Sequence, residues 1–290
     1  MTSGLTVEKA CDEYKKYLRL EKGEGAEKTA DIRIKAHIKP KLGHKRVDKL
    51  TLSQLENWRN GLVDLSGDPE KERKSKNTAN RTRTVLVAVL NRAAIRHKVK
   101  DRSAWQDLKP FKDVSGVRDI YFTDKQKDRL LEAATGSLLN LIKAGFLTGA
   151  RLSELTNTKV EDFKPGTLRV SGKTGERHIV LSDAAEAFFN EQKKDKTPKA
   201  WLLPRDDGKP WDRHFLSKRF REVAREAKLP AGSTFYSLRH WYISQALLAG
   251  VDIELLARNV GNSAQIIRKH YHKFLQDDVR DQINKLQVTV

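Results

Sequence analysis

A single cysteine, Cys11, in 290 residues rules out an intramolecular disulfide and any zinc site built on several thiolates. The eight histidines show no His-Glu-x-x-His or comparable ligand spacing, so no metal site is expected. No apolar run approaches the roughly 20 residues that a membrane-spanning helix needs. No secretory leader opens the chain either, so a soluble, intracellular protein with no membrane partner is expected. Glycine-rich phosphate loops of the Walker and Rossmann kinds are missing, which removes the usual sign of a nucleotide cofactor; none is expected. Acidic residues are scarce relative to basic ones: 38 Asp and Glu stand against 57 Lys and Arg, a formal charge of +19. In a soluble protein that imbalance points to a polyanionic partner, nucleic acid above all.

The chain is long enough for two domains with real cores. Residues 1–110 carry 26 basic and 15 acidic side chains against 31 and 23 in the other 180, so the first part has the higher charge density. Leu5 to Leu20 reads as a helix with Val7, Ala10, Cys11, Tyr14, Tyr17 and Leu18 on its apolar side, ended by Gly23-Glu24-Gly25. A second helix from about 27 to 38 is expected to stop at Pro40, and Thr51 caps a third through Leu62. The polar stretch Ser66 to Ser75 reads as a loop. From Asn77 to about Val99 a helix turns Val85, Leu86, Val89, Leu90 and Ala93 to one side and Asn77, Arg81, Thr84 and Arg92 to the other. With Lys76 just ahead of it, and eleven basic against two acidic residues between Lys71 and Arg102, it offers a basic surface for duplex DNA. The plainer alternative is an ordinary solvated helix face. Residues 1–108 thus form a helical domain, and 109–118, with Pro110, Ser115 and Gly116, a linker.

In the second domain, 119–290, Thr123 caps a helix to Ala134, and the nearly continuous apolar run Leu138 to Thr148 reads as a buried helix ended by Gly149. Arg151 follows directly, with Glu154 three residues on. The pair reads either as a pre-positioned guanidinium or as a structural salt bridge. Two short alternating strands, Thr167 to Ser171 and Glu176 to Ser182, flank the turn Gly172-Lys173-Thr174-Gly175 and project Lys173. Helices at about 183–193 and 213–227 lead to a helix from Ser237 to Ala249 with Leu238, Trp241, Tyr242, Leu247 and Leu248 on its apolar side. Arg239 and His240 fall in its first turn, where amide donors and the helix dipole favour an anion. After a helix at 253–259, Gly261-Asn262-Ser263 leads to a last one carrying Ile266, Ile267, Tyr271 and Phe274, with Ser263 as its cap. The fold class is mainly α with a small antiparallel β-sheet, α+β in the second domain.

Taken together, these pieces resemble the tyrosine recombinases of the phage integrase family over nearly the whole chain. The resemblance rests on Thr148-Gly149-Ala150-Arg151-Leu152-Ser153-Glu154-Leu155, on Lys173 in the hairpin, on Ser237-Leu238-Arg239-His240, and on Tyr271 nine residues after Asn262. It implies a two-domain DNA clamp: 1–108 as a SAM-like core-site DNA-binding domain, using Lys76, Asn77, Arg81, Thr84 and Arg92, and 119–290 as the catalytic domain. It further implies a site-specific recombinase that integrates or excises a mobile element or prophage through a covalent 3′-phosphotyrosyl intermediate, without ATP or metal. Tyr271 would be the nucleophile, Arg151 and Arg239 the phosphate clamp, and Lys173 the acid for the leaving 5′-oxygen. Glu154 would support Arg151.

Two positions depart from the family pattern. Tyr236 stands where His or Lys is usual, and Asn262 where His or Trp is usual; neither matches an imidazole as a proton acceptor near neutral pH. Tyr236 and His240, which directly follows Arg239, both remain candidates for the proton of Tyr271. The implied partners are duplex DNA with inverted-repeat core sites, further copies of the chain in a homotetramer on paired sites, and optionally an accessory DNA-bending or directionality protein. The implied location is the bacterial cytoplasm, at the nucleoid. The tail Asp277 to Leu286 could be exchanged between protomers or pack on its own domain, and the amino-terminal arm-site domain of some phage integrases is expected to be absent. Two other readings stand beside this one: a type IB topoisomerase-like nicking and resealing enzyme, and a sequence-specific DNA-binding protein with weakened catalysis.

Overall fold

The computed structural model describes residues 4–114, 120–172, 175–271 and 274. The chain divides into two compact units, 1–117 and 118–290, mainly α with one small antiparallel sheet in the second. Lys173 and the tail 277–286 lie outside the described residues.

In the first unit α1 (Val7–Lys22) is capped by Thr6 and pairs with α2 (Glu24–Arg33). The helix does not stop at Pro40. A proline ring in a tight α-turn strikes the carbonyl four residues back. Here the π-turn Ile34–Ile38, in which Lys39 N–H reaches Ile34 O, widens the helix just before the proline, and α3 (Lys39–Leu42) continues through it. Next comes α4 (Leu52–Asn60), capped by Thr51. The expected loop at 66–75 is instead the start of α5 (Pro69–Arg96). Asp68 accepts from the N–H groups of Glu70 and Lys71, Pro69 takes the first helical position, and Glu70–Arg73 and Glu72–Lys76 pair along the surface. Those caps and charge pairs carry turns that have no apolar periodicity. Leu86, Val89, Leu90 and Ala93 of α5 close the core over Val7, Cys11, Ile34 and Leu55. Beyond the short α6 (Ser103–Gln106), residues 108–114 lie against α5: Arg83 donates to Leu108 O, Asn80 bonds both N–H and O of Phe111, and Arg73 donates to Val114 O.

The second unit opens with α7 (Asp124–Ala133), closed by a capping box between Thr123 and Gln126. The apolar α8 (Gly136–Thr148) runs through its centre and packs against the helix Tyr236–Leu248. Short α9 (Leu152–Thr156) precedes the meander β1 (Phe163–Lys164), β2 (Thr167–Gly172) and β3 (Gly175–Val180), in which Leu168 pairs with Ile179 and Val170 with Arg177. Then follow α10 (Asp183–Lys193), α11 (Arg213–Glu226), α12 (Tyr236–Leu248), α13 (Ile253–Val260) and a helical segment at 264–271. Leu141, Ile142, Leu168, Ile179, Phe189, Phe220 and Leu238 share the main core. A second cluster of Ile243, Leu247, Leu256, Val260 and Ile267 encloses Tyr271. One expected core position is corrected: Leu248 is about half exposed, at 49%. On α12 the buried stripe runs through Ser237, Leu238, Arg239, Ile243 and Leu247, one step round the helix from the expected side.

Candidate active site

Arg151 is placed by the end of α8. Gly149 closes that helix in the left-handed conformation, φ +60°, and a Cβ there would come within 2.4 Å of the Tyr242 ring. Both facts call for glycine. The chain then extends, and Glu154 in the first turn of α9 accepts from the Arg151 backbone N–H at 2.7 Å and from Nη1 at 2.9 Å. Arg151 Nη2 donates to Gly261 O at the end of α13. Thus the salt bridge and the pre-positioned guanidinium are one arrangement. Glu154 is 1% exposed; burial acts to raise its carboxyl, and the hydrogen bonds of Arg177 and Arg151 outweigh that and hold it below the usual carboxylate range.

Arg239, in the first turn of α12, is 1% exposed. Its Nη1 donates to Gly149 O at 2.8 Å, whereas Nε and Nη2 are buried without a hydrogen-bond partner among the described residues. Burial pulls this guanidinium below the ordinary arginine value; Tyr236 acts against that and Arg151 with it. A desolvated cation with open donors is costly unless an anion completes it.

Tyr271 is 3% exposed, and its hydroxyl lies 2.7 Å from His240 Nδ1. Tyr121 stands edge-on to both rings and to Phe274, and its hydroxyl donates to His270 O at 2.6 Å. Tyr236 is 49% exposed, its ring edge-on to His240 with centroids 4.9 Å apart. Asn262 Oδ1 accepts from Ser263 N–H, and Ser263 Oγ from Ile266 N–H, so both residues organise the start of the helix that carries Tyr271. A cavity of about 540 Å³ opens beside Arg151 and Tyr236, with Trp211, Arg213 and Thr234 in its wall.

The structure therefore brings Arg151, Glu154, Tyr236, Arg239, His240 and Tyr271 into one network on α9, α12 and the last helix. Asn262 adjoins it through the turn after α13. Sequence reasoning missed two members. Arg177 forks onto Glu154, with Nη1–Oε1 at 2.5 Å and Nη2–Oε2 at 3.0 Å; strand alternation places it on the same face as buried Ile179, an available signal. Tyr121 gave no such signal, since its partners lie some 120 to 150 residues away in the chain.

On the first unit, Asn77, Arg81, Thr84 and Arg92 recur at helical spacing along one side of α5. Arg92 stacks over Tyr17, its Cζ 3.5 Å from the ring centroid. Lys76 does not join them: it pairs with Glu72 and faces the Phe111 ring, toward the segment that lies against α5.

The phage integrase family profile matches residues 121–276, and the profile of the phage integrase N-terminal SAM-like domain matches 6–63. The tyrosine recombinase XerD of Staphylococcus saprophyticus is 26% identical over 150 residues, which are 48% of this chain and 51% of the relative. The chain spans about half the length of the curated relatives it matches. Among solved structures, a lambda integrase dimer bound to a COC′ core site superposes with a TM-score of 0.75 at 18% identity, covering 92% of this chain and 95% of that one. An integrase of transposon Tn1549, solved in complex with transposon right-end DNA, gives 0.72 at 18% identity, covering 98% and 100%.

Proposed function

The chain belongs to the phage integrase family, and on that premise we propose that it is a site-specific DNA recombinase that cuts and rejoins DNA strands through Tyr271. The observation that carries the proposal is the buried guanidinium of Arg239, whose Nε and Nη2 have no hydrogen-bond partner among the described residues, beside Arg151 and a tyrosine hydroxyl held on an imidazole. A phosphodiester fits this set. Its non-bridging oxygens would complete Arg239 and face Arg151, which offset the negative charge that grows in the transition state.

Tyr271 Oη attacks phosphorus and passes its proton to His240 Nδ1. A P–Oη bond forms as the P–O5′ bond breaks, leaving a 3′-phosphotyrosyl link and a free 5′-hydroxyl. Lys173, outside the described residues, is assigned by the family resemblance to protonate the leaving oxygen. Attack by a 5′-hydroxyl of another strand reverses the step and releases Tyr271, so the phosphodiester energy is conserved.

The DNA partner is a duplex with inverted-repeat core sites, with 1–108 binding the core site, 109–118 as linker and 119–290 catalytic. Four copies on paired sites, optionally with an accessory DNA-bending or directionality protein, would integrate or excise a mobile element or prophage at the bacterial nucleoid. Among the described residues no helix is long and apolar enough to cross a membrane.

The test is covalent trapping. A pool of nicked duplexes with randomised core sequence is incubated with the protein, and DNA that survives denaturation on the polypeptide is recovered and sequenced. Wild type should enrich a sequence and form the adduct. Tyr271→Phe should retain affinity for that sequence and form none, since only the nucleophilic oxygen is gone. An adduct that persists in the variant places the nucleophile elsewhere.

A further inference from the structure

Arg177 and Arg239 are used in opposite ways. Arg239 keeps donors open, whereas Arg177 spends its fork on Glu154 and its Nε on Asn259 O at 3.1 Å. Its guanidinium also fills the space over Gly261, where an added Cβ would lie 2.8 Å from Cζ and Nε. Of the two anchors of Arg151, Arg177 thus bonds one, the Glu154 carboxylate, and packs against the residue whose carbonyl is the other, Gly261. Asn259 reinforces the same joint, its Oδ1 accepting from Val180 N–H at 2.7 Å, so that β3 and the end of α13 are pinned together. Two residues past that joint, the turn at Gly261 leads into the helix that carries Tyr271.

We infer that Arg177 is a positioning residue: a strut from β3 that fixes Glu154 and the Asn259–Gly261 turn, and through them aims Arg151 and registers the Tyr271 helix. It contacts no reacting atom. The inference rests on the strand-cleavage reading for its kinetic consequence, though not for its structural one. A lysine keeps the charge and loses the planar fork that spans both carboxylate oxygens. A methionine loses both. Glu154 faces Arg151 on its own turn, Arg177 on β3 and Arg239 on α12. Without Arg177, burial dominates and its carboxyl titrates at higher pH. Protonation then removes an acceptor from Arg151, so activity falls as pH drops.

The full-length protein is tested as wild type, Arg177→Lys and Arg177→Met, with thermal melts as the folding control. Single-turnover cleavage of the duplex enriched by trapping should slow about 100-fold in Arg177→Met, the scale of a misplacement near 1 Å, with Arg177→Lys between that and wild type. Duplex affinity should stay within about threefold of wild type, because the open donors are untouched. Arg177→Met should also gain an acid limb in its rate profile beyond the one that it shares with wild type through His240, and Glu154→Gln in the same background should abolish the added limb. Independently of activity, the Glu154 carboxyl ¹³C shift should show its titration step at higher pH in Arg177→Met than in wild type. A rate within threefold of wild type, or a slow variant without the added acid limb and the raised carboxyl step, overturns the strut. Failure of wild type to form any adduct overturns the strand-cleavage reading instead, and the carboxyl titration still decides on Arg177.

Discussion

Replacing His240 with alanine tests the proton route at its narrowest point. In the folded chain the Tyr271 hydroxyl and His240 Nδ1 are 2.7 Å apart, within general-base reach. Tyr271 is 3% exposed, and Tyr121 and Phe274 pack against its ring, so bulk water is poorly placed to substitute. A positioned general base supplies about 10²–10⁴-fold, which converts to roughly 3–5 kcal/mol of barrier at about 1.4 per decade. Single-turnover trapping should therefore fall by at least about 100-fold in His240→Ala, with duplex affinity and melting temperature near wild type. The base acts in its neutral form. The wild-type rate should accordingly decline on the acid side, and the variant should lose that limb together with most of its rate. His240→Ala that cleaves within threefold of wild type, folded and with an unchanged pH profile, would refute the assignment and return the proton to Tyr236, Asn262, Lys173 or water.

Three further outcomes follow from the same geometry. Tyr236→Phe should slow cleavage by about tenfold or less, because it removes one hydrogen-bonding group at the cavity rim and no base; a loss as deep as that of His240→Ala would make Tyr236 the proton acceptor. In the full-length protein, Arg81→Ala and Arg92→Ala should each reduce the slope of log affinity against log salt by about one, and a slope that does not move would remove that residue from the DNA interface. Gly149→Ala should destabilise by about 2 kcal/mol or more, combining the left-handed backbone, about 1–2, with overpacking against Tyr242, about 1–3; a melting temperature equal to wild type would show that the turn after α8 has room for a Cβ.

Periodicity made most of the fold legible, because helices that bury one side announce themselves every three or four residues. The buried run of α8, the capped starts at Thr51 and Thr123, and the hairpin strands all read correctly for that reason. Where stability comes from elsewhere, periodicity is silent. The first two turns of α5 have no apolar side and stand on Asp68, Pro69 and charge pairs. Pro40 is a stop signal in an α-helix, and only a π-turn, which depends on how Ile34 and Ile38 both reach the core, cancels it. Leu248 departs from its expected side by similar logic: it is next to Leu247, which takes the buried position.

The site was legible as a set of residues and illegible as a set of contacts. Arg239 and His240 are neighbours in sequence, yet adjacent positions on a helix diverge by about 100°, so Arg239 turns toward Gly149 and His240 toward Tyr271. Tyr236 and His240 are four apart and meet edge-on, which places the phenol at the cavity rim and the imidazole on the Tyr271 hydroxyl. The departure at Tyr236 and the imidazole at His240 are therefore one arrangement on one face of α12: where the family more often has His or Lys, this chain has a group poorly suited to take a proton near neutral pH, and the imidazole sits one helical turn further along. Asn262 fits the same account, since its side-chain oxygen is engaged by Ser263 N–H at the start of the Tyr271 helix. A sequence motif fixes which groups are present, and the helix that carries them decides which of two neighbouring groups meets the reacting atom.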